Sequence, residues 1–158
     1  MKTFITTLFI ISCLALSAQQ TGSLTVYGIM KYKKSIVNEV QIEVYRDNKV
    51  YKELLNVKNG SFKLYLQLGH VYSVTFRKES FIEKSIAVVA KTDSSISING
   101  RYFFQLDIEL FKEEDHEVDE SMLPPVAKLY IKDQDSGFTF DKKYVKWVAE
   151  KFDEEFKE

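Results

Sequence analysis

The 158-residue chain contains one cysteine, two histidines and no excess of basic residues. Each scarcity argues against a class of function. Nucleophilic catalysis needs a base beside its nucleophile, and zinc sites need cysteine and histidine ligands placed together. His70 lies in a predicted turn and His116 in an acidic stretch, so the histidines form neither a base beside a nucleophile nor a group of zinc ligands. No Gly-x-Ser-x-Gly elbow is present. The sequence therefore predicts a non-enzymatic protein without cofactor or metal, in which His70 is a surface turn residue.

Basic charge is also lacking, with 22 lysines and arginines against 23 acids. Loss of Lys2 with an N-terminal signal would leave 21 basic residues and the same 23 acids. No basic stripe is present, which argues against a nucleic-acid partner. The same balance argues against electrostatic binding to anionic lipid.

Residues 1–19 have the pattern of a secretory signal peptide, with Lys2, an apolar run and small residues before Gln19. That run is too short for a stable membrane span, and no later stretch approaches the required length. Export to the periplasm or outer membrane is expected, without a membrane span after cleavage. Cys13 also matches a loose lipobox, so a lipid anchor at Cys13 is the alternative to its removal. Removal would leave no cysteine, and a packed core would have to stabilise the protein without disulfides.

Residues 20–111 predict an all-β domain. In Val57–Phe76, the turn pair Asn59-Gly60 precedes a strict alternation of apolar and polar residues, and a second alternation begins after Gly69. This stretch predicts a central hairpin. Similar alternations on both sides, separated by turns such as Asp47-Asn48, give seven to eight short strands. Two half-apolar sheets can cover each other, so a β-sandwich is expected.

Residues 112–125 predict an acidic, proline-containing linker, because like charges so dense repel one another. Residues 126–158 predict a short strand, a turn and a C-terminal amphipathic helix with Asp141 as its N-cap. Lysines at the start of this helix and glutamates at its end oppose the macrodipole. The helix should therefore form mainly where its apolar stripe is covered, by this domain or by a partner.

The segments Lys58–Phe62, Leu66–Gly69 and Lys78–Phe81, with Tyr72 and Phe76 between them, resemble the carboxypeptidase regulatory-like domain. This resemblance covers roughly residues 23–111 and implies a transthyretin-like (prealbumin-like) sandwich. Where that family more often has a Gly-Tyr pair, this chain has Ser80-Phe81.

The tail, from Leu123–Leu129 to Phe138–Asp141 and Tyr144, looks like that of exported Bacteroidetes proteins with one such sandwich and no settled function. In the broader family, the sandwich usually serves as an accessory or interaction module. The resemblance implies no catalytic residue.

The expected function is a protein–protein interaction or structural module of the cell envelope. The alternative is a carbohydrate-binding module that uses a tyrosine-bearing sheet face, and a less favoured one is a small hydrolase built on carboxylates. Aromatic side chains on the strands and the tail helix are the candidate binding residues: Tyr45, Tyr65, Tyr144, Trp147, Phe152 and Phe156. A calcium site is considered at three neighbouring acids, Asp133, Asp135 and Asp141. Their spacing does not match the EF-hand pattern, so an ordinary Asp-rich turn is favoured.

Overall fold

A computed structural model describes residues 22–54, 58–92, 100–113, 123–133 and 135–155. Side chains at 53, 54, 58 and 152–155 are not part of this description. The predictions for the signal peptide, for Cys13, for His116 with most of the acidic linker, and for Phe156 therefore lie outside the described residues.

The described residues form two β-sheets and one α-helix, which confirms the all-β sandwich with a C-terminal helix. The first sheet is built around one long strand, and its members are β1 (Ser23–Tyr32), β2 (Ser35–Ile36), β5 (Ser61–Gln67), β8 (Arg101–Gln105) and β9 (Ile108–Glu109). Strands β2 and β5 pair with β1 in the antiparallel sense, whereas β8 and β9 pair with it in parallel.

The second sheet has six strands in the order β11-β10-β7-β6-β3-β4. Its members are β3 (Gln41–Arg46), β4 (Lys49–Leu54), β6 (Val71–Lys78), β7 (Phe81–Val89), β10 (Ala127–Asp133) and β11 (Gly137–Phe140). Helix α1 (Lys142–Glu155) follows the last strand. The two sheets share one core, because alternate residues of their facing strands are buried.

The predicted alternation is confirmed in detail on β5, where Phe62, Leu64 and Leu66 are buried and the residues between them are exposed. Each such buried side chain stabilises the fold by about 1.5–3 kcal/mol relative to exposure. Opposite them, Phe76 and Ile86 of the second sheet are fully buried in the same cluster.

The predicted central hairpin is wrong. Strand β5 pairs with β1 in the first sheet, whereas β6 pairs with β3 and β7 in the second. The chain crosses between sheets at Gly69, whose φ is 92° and whose N–H donates to the carbonyl of Ala90 at 2.7 Å. Alternating sequence is the same in a hairpin and in such a crossing, because it specifies the buried face and not the pairing partner.

A two-residue hairpin does join β3 to β4, as the Asp47-Asn48 pair predicts. Both residues have positive φ, 50° and 65°, which matches the twist of the strands they connect. The carboxylate of Asp47 also accepts a hydrogen bond from the N–H of Val71 at 3.1 Å. The turn is thereby tied to the start of β6.

The tail joins the second sheet. Strand β10 runs parallel to β7 and buries Ala127, Leu129 and Ile131 in the common core. Asp141 is the N-cap of α1, as predicted: its Oδ1 accepts hydrogen bonds from the backbone N–H groups of Lys143 and Tyr144, both at 3.0 Å.

Candidate ligand-binding face

Three aromatic rings lie exposed on the outward face of the first sheet. Tyr27, Tyr65 and Phe103 are 38%, 59% and 67% exposed, and we call the surface that they share with the neighbouring outward side chains of β1, β5 and β8 the aromatic face. Their position follows from strand periodicity, since Val26 and Leu64, next to them in sequence, point into the core.

The strand register places these rings in a fixed pattern. Thr25 of β1 lies opposite Tyr65 on one side and Phe103 on the other. The two rings therefore start from strands two spacings apart, about 10 Å, with Thr25 only 5% exposed between them. Tyr27 is two residues further along β1 and completes a triangle on a rigid sheet.

An open hollow of about 640 Å³ is lined by two of these rings, Tyr27 and Phe103. Its lining combines aromatic surface with groups that can donate or accept hydrogen bonds: Tyr27, Gly28, Ile29, Ser61, Phe62, Lys63, Phe103, Gln105 and Asp107. A concave surface with apolar walls and a few polar groups is the usual form of a small-ligand site.

Gly28 shapes this hollow. A Cβ at Gly28 would lie 1.9 Å from the carbonyl oxygen of Leu106, so only glycine permits the close approach of the segment between β8 and β9. The N–H of Leu106 donates to the carbonyl of Tyr27 at 2.9 Å. The next residue, Asp107, is thereby brought to the rim of the hollow.

The carboxylate of Asp107 is fixed by two donors. It accepts hydrogen bonds from the Lys31 ammonium at 2.8 Å and from the N–H of Ile29 at 3.2 Å. The bond from Lys31 and then that from Ile29 lower the pKa of Asp107, so the group is an anion at neutral pH. It can accept hydrogen bonds from a ligand but is already paired with a cation.

Tyr45, a predicted binding residue, lies on the second sheet and is separate from Tyr65. Its hydroxyl donates to Oε2 of Glu43 at 3.0 Å, and this bond raises the pKa of Tyr45. Arg77 binds the same Glu43 and also Glu83. Tyr45 is therefore part of a closed polar network rather than of an open row of rings.

Two further predicted residues lie on α1. The Tyr144 hydroxyl donates to the carbonyl of Pro125 at 2.8 Å, and its ring centroid is 5.7 Å from that of Trp147. Trp147 is 46% exposed, whereas Val148 is buried and Val145 packs against the core. Phe152 is in the same helix without a described side chain. The candidate residues thus lie in three separate places: the aromatic face, the Glu43 network and the helix.

Phe103 was missed by sequence reasoning, although a signal was present. Phe104 belongs to the buried alternation of the last strand, so Phe103 has the parity of the outward Gln105. Its proximity to Tyr65 depends on the parallel pairing of β8 with β1 and has no local signal.

Of the residues considered for catalysis or metal binding, His70 and Asp133 are described at or beside turns. His70 lies in the β5–β6 connection, with Nδ1 2.6 Å from Oδ2 of Asp47. Asp133 accepts a hydrogen bond from the N–H of Ser136 within the β10–β11 turn. No group of three potential metal ligands is found in the described part of the chain.

Comparisons with known proteins give little more. No family model and no curated protein matches this chain. One similar solved structure is a DUF3823 family protein from Parabacteroides merdae, with 17% identity and a TM-score of 0.37. The match covers 58% of this chain and 47% of the other, so this chain spans about half the length of that protein.

The helix of the described residues is neither long nor apolar enough to cross a membrane.

Proposed function

We propose that this protein is a non-catalytic, carbohydrate-binding module of the cell envelope, built on a transthyretin-like sandwich, and that the aromatic face holds the carbohydrate. The observation that supports this proposal is the exposure of Tyr27, Tyr65 and Phe103 on one sheet face, where Tyr27 and Phe103 also line a hollow with polar groups. Aromatic rings offer flat apolar surface to the C–H faces of sugars, while Gln105 and Ser61, which also line the hollow, can bond their hydroxyls.

The size of the face favours a saccharide over a protein partner. Three strands about 4.8 Å apart, with β5 paired to seven residues of β1 and β8 to five, give a surface of roughly 300 Å². A stable protein–protein interface buries about 800 Å² on each partner. A short stretch of an oligosaccharide needs far less area, because a few rings and hydrogen bonds define its subsites.

The proposal is tested with the exported form of the chain and a panel of soluble polysaccharides, by calorimetry or affinity electrophoresis. Tyr65→Ala and Phe103→Ala each remove an exposed ring and are expected to weaken binding about twofold to tenfold, and more when combined. Tyr130→Ala is the matched control, because this tyrosine is 37% exposed on β10 of the other sheet. An undiminished affinity of the double variant, or no binding across the panel, would refute the proposal.

A second candidate is a protein-interaction module, and Trp147 is the observation that favours it. Tryptophan and tyrosine dominate binding hot spots, and here Trp147 is half exposed beside Tyr144. Crosslinking in the native envelope should recover one or two stoichiometric envelope proteins, and Trp147→Ala should lose them while polysaccharide binding persists. Equal recovery with both forms would count against this use of the helix.

Export itself is part of the proposal. The mature chain is expected in the periplasm or at the outer membrane, either cleaved near Gln19 or lipidated at Cys13. Intact-mass measurement of the protein recovered from membrane and soluble envelope fractions distinguishes the two forms. Recovery of the full-length chain from the cytoplasm alone would be contrary to export.

A further inference from the structure

The aromatic face carries two exposed cations beside its rings. Lys63 on β5 and Arg101 on β8 are both exposed on this face. Within the described residues, neither forms a salt bridge with a carboxylate.

Two described acids of the same sheet, Asp107 and Glu109, lie near the end of β1 that pairs with β9. Asp107 is paired with Lys31, and Glu109 lies opposite Lys31 in the register of β1 and β9. Lys63 lines the same hollow as Asp107, whereas Arg101 lies at the start of β8, two residues before Phe103 and away from both acids.

The cations and the rings form a regular arrangement. Lys63 and Tyr65 are two residues apart on β5, and Arg101 and Phe103 are two residues apart on β8. Each outer strand thus presents one ring and one cation on the same side of the sheet, about 7 Å apart along the strand. The Lys63 ammonium lies 5.3 Å from the centre of the Tyr65 ring.

The strand directions place the two cations at opposite corners. Lys63 is level with Tyr27, whereas Arg101 is level with Ser23, and Thr25 lies midway between those two levels. The line from one cation to the other, roughly 16 Å between Cα atoms, passes over Thr25 between the two rings. An extended chain along this line would meet a cation at each end and aromatic surface on both sides.

We propose that the aromatic face binds an acidic polysaccharide, whose carboxylates meet Lys63 and Arg101 while its sugar rings lie against Tyr65 and Phe103. This inference depends on the proposed carbohydrate-binding function and specifies the ligand class. A guanidinium can bond a carboxylate through two parallel N–H groups, and an ammonium can pair with a second one as a point charge. Neutral glycans would use the rings and bring no carboxylate to either cation.

The decisive probe is polygalacturonate, compared with its methyl ester, which has the same sugar chain without the carboxylate charge. The unaltered protein is expected to bind the acid several times more tightly than the ester, with an advantage that shrinks as salt is added. The double variant Lys63→Gln/Arg101→Gln should lose about twofold to twentyfold in affinity for the acid and leave the ester unaffected. Lys128→Gln/Lys132→Gln, on β10 of the other sheet, is the matched control.

Each outcome separates this inference from the function on which it depends. Equal affinity for acid and ester, or an equal loss with the control pair, overturns the acidic ligand but leaves carbohydrate binding intact. Binding of neutral glycans without binding of polygalacturonate also overturns the acidic ligand and leaves carbohydrate binding intact. Failure of every polysaccharide overturns both. Support requires that the Lys63/Arg101 variant lose only the charge-dependent part, while Tyr65→Ala/Phe103→Ala loses both parts.

Discussion

Lys84 is a lysine in the core, and its removal should change stability in a pH-dependent way. It is 8% exposed on the inward face of β7, opposite the fully buried Phe76. Its ammonium lies 3.7 Å from the centre of the Phe111 ring. Burial lowers the pKa of Lys84 to about 8, against an ordinary value of 10.5, and Glu109 opposes part of this change.

The magnitude follows from the two pKa values. A change from 10.5 to about 8 corresponds to roughly 3 kcal/mol of destabilisation by the charged form. The cation–π contact with Phe111 offsets about 0.5–2 kcal/mol of this destabilisation. Lys84→Met keeps the apolar stem and removes the charge, so its unfolding free energy at pH 7 should exceed that of the unaltered protein by about 1–2 kcal/mol.

The sign of the pH dependence is determined by the lowered pKa. Between pH 8 and pH 10.5 the unfolded chain keeps the Lys84 proton while the folded chain has released it. The stability of the unaltered protein therefore rises with pH in this window relative to Lys84→Met, and the advantage of the variant disappears. Below pH 8 the advantage is fully present.

Urea unfolding of both proteins at several pH values from 7 to 10.5 measures this difference. Comparing the two proteins at each pH cancels the contribution of the tyrosines that titrate at the upper end. Lys128→Met, at an exposed lysine of β10, is the control and should give a difference that does not vary with pH. A difference for Lys84→Met that is equally constant would show that the ammonium is solvated in the folded state.

Two further predictions concern backbone positions. Gly28→Ala brings a methyl group against the Leu106 carbonyl and should lower the unfolding free energy by about 1–3 kcal/mol. Gly69→Ala has free space around the new methyl group but a φ of 92°, so backbone strain alone should lower the unfolding free energy by about 1–2 kcal/mol. Only Gly28→Ala should also impair binding at the aromatic face. Asp141→Ala removes the N-cap of α1 and should cost about 0.5–2 kcal/mol, measured by thermal unfolding, while Asp141→Asn should retain most of the stability.

The strands were largely predictable because each alternates between a buried and an exposed face. The partners of those strands were not. The apolar side chains of β5 require a covering layer, but either sheet could supply one, and the turn at Gly69 does not determine whether the chain returns beside β5 or crosses to the other sheet. Pairing is a property of distant segments, whereas alternation is a property of neighbours.

The same distinction explains the candidate site. Tyr65 could be selected as an outward ring from its own strand, and Tyr45 by the same reasoning. Only the register shows that Tyr65 is near Phe103 and that Tyr45 is bound to Glu43 on the other sheet. Exposed rings can be found from sequence, but their grouping into one surface depends on parallel pairing over some 80 positions of the chain.

The tail illustrates how tertiary contacts override local preference. Lysines begin α1 and glutamates end it, so the helix has no acid in its first turn and no base in its last. This arrangement is unfavourable to an isolated helix. In the folded protein the Asp141 cap satisfies two N–H groups, Val148 is buried, and Val145 packs against a core to which β10 contributes Leu129. Since that core is continuous with the sandwich, the helix depends for its stability on the pairing of β10 with β7.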